Sequence, residues 1–198
     1  MSRLLFLRHG ETEWNERRIL QGQADPPLSA LGRQQAETIA GFVGAYGPDL
    51  AVSSDLRRAQ ETAALVGFAH ARADPSWREA DLGEWTGKSM HALRAERPED
   101  YRGWREGQFS PPGAESFDQL CARVQSALTS LADHEGTILV VTHGGVVRAA
   151  CALLLGLQPS NLIPVNPASL TVIDVGNTGA RLRAFNAMPI VGDLDPPD

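Results

Sequence analysis

Apolar and polar positions fall in blocks along the chain, and block length separates two kinds of element. Three short, nearly unbroken apolar runs, Arg3 to Leu7, Leu50 to Ser53 and Thr137 to Val141, predict strands buried on both faces. Longer segments of helical period stand between them. Around Ser29 the positions Leu28, Leu31, Ile39, Phe42 or Val43, and Tyr46 recur at near-helical spacing, with polar Gln35 inside the series. Gly47-Pro48 ends that helix. Asp55 to Val66 predicts a second one. Ser116 with Gln119 three residues on is a capping-box pattern, and it opens a helix with the stripe Phe117, Leu120, Cys121, Val124, Leu128 and Leu131. Gly145 to Leu155 predicts an apolar helix that stops at Gly156. Ser169 to Val175 and Arg181 to Phe185 flank Gly176-Asn177-Thr178-Gly179, which predicts a hairpin. Residues 75 to 113 are irregular, rich in Pro, Gly and Trp, with a helix predicted from Ser89 to about Arg97.

Strands alternating with helices predict an α/β fold, a three-layer sandwich whose mostly parallel central sheet is flanked by helices. The 198 residues suit one domain. We expect it to span residues 1–191, with 85–113 as a lid insertion and 192–198 as a loose acidic tail. The net charge of −6 argues against a broad nucleic-acid or membrane surface. It leaves room for an anionic substrate, because a few arginines in one cleft act locally. No stretch approaches the roughly 20 apolar residues of a membrane span. The apolar start is too short for the core of a secretory signal, so a cytoplasmic protein is expected. Cys121 and Cys151 sit in apolar helical patterns and are expected to pack as small hydrophobes.

Two of the three predicted core strands run straight into a histidine. The first leads into Arg8-His9-Gly10-Glu11-Thr12, the third into Thr142-His143-Gly144-Gly145. The second is followed by Ser54-Asp55-Leu56-Arg57-Arg58. Ligands of parallel sheets bind beyond the carboxyl ends of the strands. If these strands are neighbours, one cleft holds two imidazoles and at least two guanidiniums. A single histidine after a strand is ordinarily structural, and one of Arg57 and Arg58 is expected on a solvated helix face. Taken together, the set suits phosphoryl transfer, which needs an in-line nucleophile and fixed donors around the equatorial oxygens. A neutral imidazole is a competent nucleophile near pH 7. Arginine presents a fork of donors that matches phosphate. Gly10, Gly144 and Gly145 are expected where backbone approaches a ligand closely.

The segment Leu7-Arg8-His9-Gly10-Glu11-Thr12-Glu13-Trp14-Asn15 resembles the signature of the histidine phosphatase superfamily, the phosphoglycerate-mutase-like proteins. Four further segments resemble that family in order: Gln21 to Gly32, Ser53 to Ala63, Arg78 to Trp85, and Thr142 to Gly145. The resemblance runs from about residue 3 to residue 185. It implies His9 as nucleophile, and Arg8, Arg58 and a cationic His143 as holders of the phosphoryl oxygens. It also implies Glu79 as the acid that protonates the leaving group and then the base that activates water. Such a carboxyl works best with a raised pKa. Asn15, Gln21, Gly22 and Gly144 are expected to line the phosphate or substrate pocket. Glu84 competes with Glu79 for the acid role, with a surface position as its plainer reading. Trp77 and Thr86 depart from the family pattern. Trp14, Trp85, Met90, Tyr101 and Trp104 form either a substrate wall or lid packing.

The length and the five segments point to the compact phosphatase branch, acting on a small phosphorylated metabolite. Two other readings stand beside it: a mutase, which must shield its phosphohistidine from water, and a phosphate-ester binding protein without turnover. No group has metal-ligand spacing, so neither metal nor organic cofactor is expected. No nucleic-acid or membrane partner is expected, and the resemblance leaves a homodimer open.

Overall fold

The computed structural model describes residues 2–189; the acidic tail expected at 192–198 lies outside the described residues. In chain order the elements are β1 (Ser2–Arg8), α1 (Glu13–Glu16), α2 (Ala30–Gly44), β2 (Leu50–Ser53), α3 (Arg57–Leu65) and β3 (Arg72–Ala73). Then follow α4 (Met90–Glu96), α5 (Pro98–Arg105), α6 (Phe117–Thr129), β4 (Gly136–Thr142), α7 (Gly144–Leu155), β5 (Leu170–Gly176) and β6 (Gly179–Ala187). The six strands form one sheet in the order β3-β2-β4-β1-β5-β6. The first four of that order pair in parallel, while β5 is antiparallel to both β1 and β6.

Side chains of a strand alternate between faces, so an unbroken apolar run requires cover on both sides. Leu5, Leu7, Leu139 and Val141 pack with Ile39, Val43, Ala59 and Ala63 of α2 and α3. Leu4, Phe6, Ile138 and Val140 pack on the other face with Val124, Leu128, Val147 and Ala150 of α6 and α7. Trp77, fully buried, joins this second layer against the Phe6 ring.

Three expectations change. Helix α2 turns a different face inward: Gly32, Ala36, Ile39 and Val43 are buried, and Leu31 is 50% exposed. The cause is the loop after β1. A Cβ on Gly32 would stand 1.9 Å from the Glu11 carbonyl oxygen, and one on Gly10 would stand 2.3 Å from the Gly32 oxygen. The two backbones are in contact, and that contact fixes the rotation of the helix. Gln35 interrupts the apolar series because its Oε1 accepts the Glu11 N–H at 3.0 Å. Second, α3 starts at Arg57, two residues late, because Ser54 to Leu56 are spent turning off the strand. Third, residues 98–105 form a helix, α5, with Pro98 in its first turn.

The segment 85–113 covers the carboxyl end of the sheet. Its own core is Leu20, Leu82, Trp85, Leu93 and Tyr101. The Trp85 ring stacks on Tyr101, with centroids 6.4 Å apart, and meets Trp104 edge-on at 5.8 Å. Backbone hydrogen bonds from Leu20 to Lys88 and from Gly87 to Leu20 tie the base of this cover to the chain before α2.

The rotation of α2 is open to test. Ile39→Ala deletes a fully buried side chain and is expected to destabilise by about 2–5 kcal/mol in urea unfolding. Leu31→Ala is expected to cost less than about 0.5 kcal/mol. The reverse order would mean that the helix faces the other way.

Candidate active site

The strand register sets the site. Arg8 pairs with Thr142 and Ser53 with Val141, so β1, β4 and β2 end side by side. The pairing continues one residue beyond: the His9 N–H donates to the Thr142 carbonyl at 2.9 Å, and the Ser54 N–H to that of Val141 at 2.9 Å. His9, His143 and Ser54 thus stand together, with the two imidazole centroids 5.1 Å apart.

His9 is 3% exposed. Its Nδ1 lies 2.7 Å from the Gly10 carbonyl, an oxygen that can only accept, so Nδ1 carries the proton and Nε2 keeps a lone pair. Arg58 Nε donates to that Nε2 at 3.3 Å. Burial holds the His9 pKa well below 6.5, and the Arg58 and Arg8 charges push the same way. The ring is therefore neutral at pH 7.

Arg58, fully buried, turns into the site, whereas its neighbour Arg57 lies outside and pairs with Glu61 at 2.8 Å. The Arg58 guanidinium donates to the Ala24 carbonyl at 2.6 Å and the Gly22 carbonyl at 2.8 Å. Burial pulls its pKa down to about 10, which still leaves it charged at neutral pH. Arg8 donates through Nη1 to the Val165 carbonyl, and its buried Nε has no partner.

His143 differs from expectation. It is fully buried behind His9, with Nε2 2.9 Å from the Ser54 hydroxyl and Nδ1 without a partner. Burial first, then the Arg58 and Arg8 guanidiniums, hold its pKa well below 6.5. Among these cations alone the ring is held neutral rather than cationic. A phosphate dianion placed among these groups would reverse the sign of the local potential and favour the imidazolium.

Glu79 reaches the site from a loop that α6 secures: Arg123 donates to the carbonyls of Ser76 and Arg78, each at 2.9 Å, and pairs with Glu115 at 2.7 Å. The Glu79 carboxylate accepts the Ala80 N–H at 2.9 Å and the Gly145 N–H at 3.1 and 3.2 Å. A Cβ on Gly145 would stand 2.1 Å from Glu79 Oε1 and push the carboxylate out of this seat. Gly145 therefore seats a carboxylate, and Gly10 seats α2, rather than each clearing space for ligand. Gly144 has room for a methyl group, 3.9 Å from Arg8.

These groups open on a cavity of about 710 Å³. Arg8, His9, Asn15, Gln21, Gly22, Arg58, Glu79 and Gly144 all border it; His143 lies just behind. Asn15 spends its Oδ1 on the Thr12 N–H and hydroxyl, at 3.1 and 3.0 Å, which leaves its NH2 for the cavity. Gln21 is 8% exposed, with an unpartnered Oε1. Of the candidates for a substrate wall, Met90 and Trp104 border the cavity, while Trp85 and Tyr101 are buried in the cover. Glu84 is exposed and off the cavity. Sequence reasoning missed Ser54 as the support of His143, and Arg105 and Arg148 in the cavity wall. For Arg148 a signal existed, a lone arginine inside the apolar run Val146 to Leu155.

Fold and site define an α/β protein with a cationic, histidine-bearing cleft at the carboxyl ends of its parallel strands. The profile of the histidine phosphatase superfamily (branch 1) matches residues 4–188, and the chain belongs to that family. It is 38% identical over 173 residues to the glucosyl-3-phosphoglycerate phosphatase of Mycobacterium tuberculosis, covering 80% of this chain and 78% of that protein. It is 38% identical over 156 residues to phosphoglycerate mutase-like protein 4 of Arabidopsis thaliana, covering 74% and 68%. The solved structure of a mycobacterial glucosyl-3-phosphoglycerate phosphatase in complex with VO3 superposes with a TM-score of 0.86 at 37% identity, covering 93% of this chain and 98% of that one. Among the described residues no helix is long and apolar enough to cross a membrane.

The buried neutral histidines give a pH dependence. In the unfolded chain each binds a proton near pH 6.5, while in the folded chain it binds one only well below that. Between those values the unfolded state holds more protons, so stability rises with pH and is lost as pH falls. In phosphate-free buffer, urea unfolding is expected to show a loss on the order of 1 kcal/mol per pH unit per histidine from about pH 6.5 down to about 5. A flat profile over that range would contradict neutral burial.

Proposed function

We propose that the protein hydrolyses the phosphomonoester of a small phosphorylated metabolite through a phosphohistidine on Nε2 of His9. The observation that carries this reading is the fixed tautomer: Nδ1–H is committed to the Gly10 carbonyl, and the Nε2 lone pair stands beside Arg58 at the cavity. Nε2 attacks phosphorus in line with the leaving oxygen. The P–O bond to that oxygen breaks as the P–N bond forms, and the leaving alkoxide takes the proton of the Glu79 carboxyl. Glu79, now a carboxylate, removes a proton from water. The hydroxide attacks phosphorus, the P–N bond breaks, and phosphate leaves with Nε2 regenerated. Arg8, Arg58 and His143, with the unpartnered Arg8 Nε and His143 Nδ1 among their donors, hold the equatorial oxygens. Asn15, Gln21 and Gly22 border the same pocket, and the amides opening α7 at Gly144 add their dipole. The positive charge comes from guanidiniums, so the chemistry needs no divalent ion.

Support comes also from the relatives, among them a glucosyl-3-phosphoglycerate phosphatase solved with inorganic phosphate. The mutase reading rests on relatives carrying that name. It predicts phosphoryl exchange between phosphoglycerates in place of net phosphate release.

The test is phosphate release, in chelator, from a panel headed by glucosyl-3-phosphoglycerate, 3-phosphoglycerate and an aryl phosphate. His9→Ala is expected to lose at least about 10³-fold in kcat with the fold retained. Substantial residual turnover would remove His9 as nucleophile, and a divalent-ion requirement would remove the metal-free route. Glu79→Gln is expected to slow alkyl phosphates more than aryl phosphates, whose leaving group departs without a proton. Equal slowing of both would take the acid role from Glu79.

A further inference from the structure

One buried cation at the cavity takes no part in the chemistry above. Arg148 lies on α7 four residues after Gly144, about 6 Å further along the helix. It is 9% exposed and borders the cavity. Its Nη1 donates to the Arg105 carbonyl at 3.0 Å, and no other side-chain hydrogen bond holds it among the described residues. Among the described residues no carboxylate comes within ion-pair distance of it. Arg105, half-buried on α5, stands beside it with its guanidinium 5.9 Å from the Trp104 ring centroid, and it too has no ion pair among the described residues. Burial and the Arg105 charge lower the Arg148 pKa to about 10, which leaves it charged at neutral pH.

A buried guanidinium without a counter-charge is costly, and structures that retain one normally supply a partner. Elsewhere in this chain the buried Arg58 has Asp25 at 3.6 Å and the partly buried Arg123 has Glu115 at 2.7 Å, while Arg8, which has no such pair, faces the phosphoryl site. Holding the Arg105 carbonyl at the end of α5 uses one of the five donors of Arg148. We infer that Arg148, with Arg105 beside it, receives a second anionic group of the substrate, a carboxylate or a second phosphate. That group lies toward α5, roughly one helical turn from the phosphoryl group on His9. The assignment rests on the phosphatase reading and narrows its substrate to a phosphomonoester with two anionic ends. The cavity is large enough for both ends, and residues of α4 and α5 line its wall.

The experiment compares kcat/KM for three esters of one primary alcohol type: glycerol 3-phosphate, 3-phosphoglycerate and glycerol 1,3-bisphosphate. Wild type is expected to favour one or both doubly anionic esters by about tenfold or more, chiefly through KM. The favoured ester tells carboxylate from phosphate. Arg148→Met is expected to remove most of that preference, and Arg148→Lys to keep part of it. Release from all three esters at equal efficiency by wild type would overturn the second-anion site and leave the phosphatase reading standing. An equal loss on all three in Arg148→Met would assign Arg148 to structure alone and overturn it too. No release from any ester by wild type would overturn the phosphatase reading. Thermal shift with the same ligands then decides the site: greater stabilisation by the double anions, lost in Arg148→Met, upholds it, and equal stabilisation refutes it.

Discussion

The carboxyl end of the sheet is organised around one buried guanidinium. Arg58 is fully buried, and a charge in that position needs compensation of several kcal/mol from fixed partners. The Gly22 and Ala24 carbonyls and the Asp25 carboxylate provide it. Those partners lie on a single loop, so neutralising Arg58 also folds that loop over the start of α3. Gly22, at φ +51, packs against Leu82 and Thr86, at the root of the cover. One buried charge thus links the strand ends, the loop at 22–25 and the segment at 82–86 into one arrangement.

Burial first, and the same charge after it, sets the state of the histidines. Two imidazoles beside buried guanidiniums are kept neutral, and neutrality leaves a lone pair on His9 Nε2. The chain as a whole is acidic, at −6, yet the cavity wall concentrates arginine: Arg8, Arg58, Arg105 and Arg148 all border it. Counter-ions screen the distant surface carboxylates over about 10 Å, whereas the low-dielectric cleft preserves its own field. Net charge and site charge can therefore carry opposite signs without conflict.

What could be read in the sequence divides along physical lines. The strands were legible because burial on both faces leaves runs such as Leu4 to Leu7 and Ile138 to Val141. His9 and His143 were legible because they directly follow those strands, while the choice of Arg58 over Arg57, and Glu79, came through family resemblance. The inward face of α2 was not, since it is set by a backbone contact at Gly32 and leaves the apolar Leu31 outside. Helix α5 was hidden in a stretch of Pro, Gly and Trp whose packing partners, Leu20 and Leu82, lie far away in sequence. Arg148 was hidden for the opposite reason. It sits in an apolar helix, and only the approach of the Arg105 carbonyl and the cavity shows why a cation is there.

The meeting of Gly10 and Gly32 has a consequence for how such a protein can change. A joint between two side chains can be refitted by swapping one shape for another, but a joint between two main chains offers no such adjustment. The outward residues of α2 are free to vary, as exposed Leu31 illustrates, while the axial position of the helix is locked to the loop that carries His9. Insertion or loss of one residue in α2 before Ile39 would set its core face against that joint, so variation along this helix must proceed by replacement at constant length.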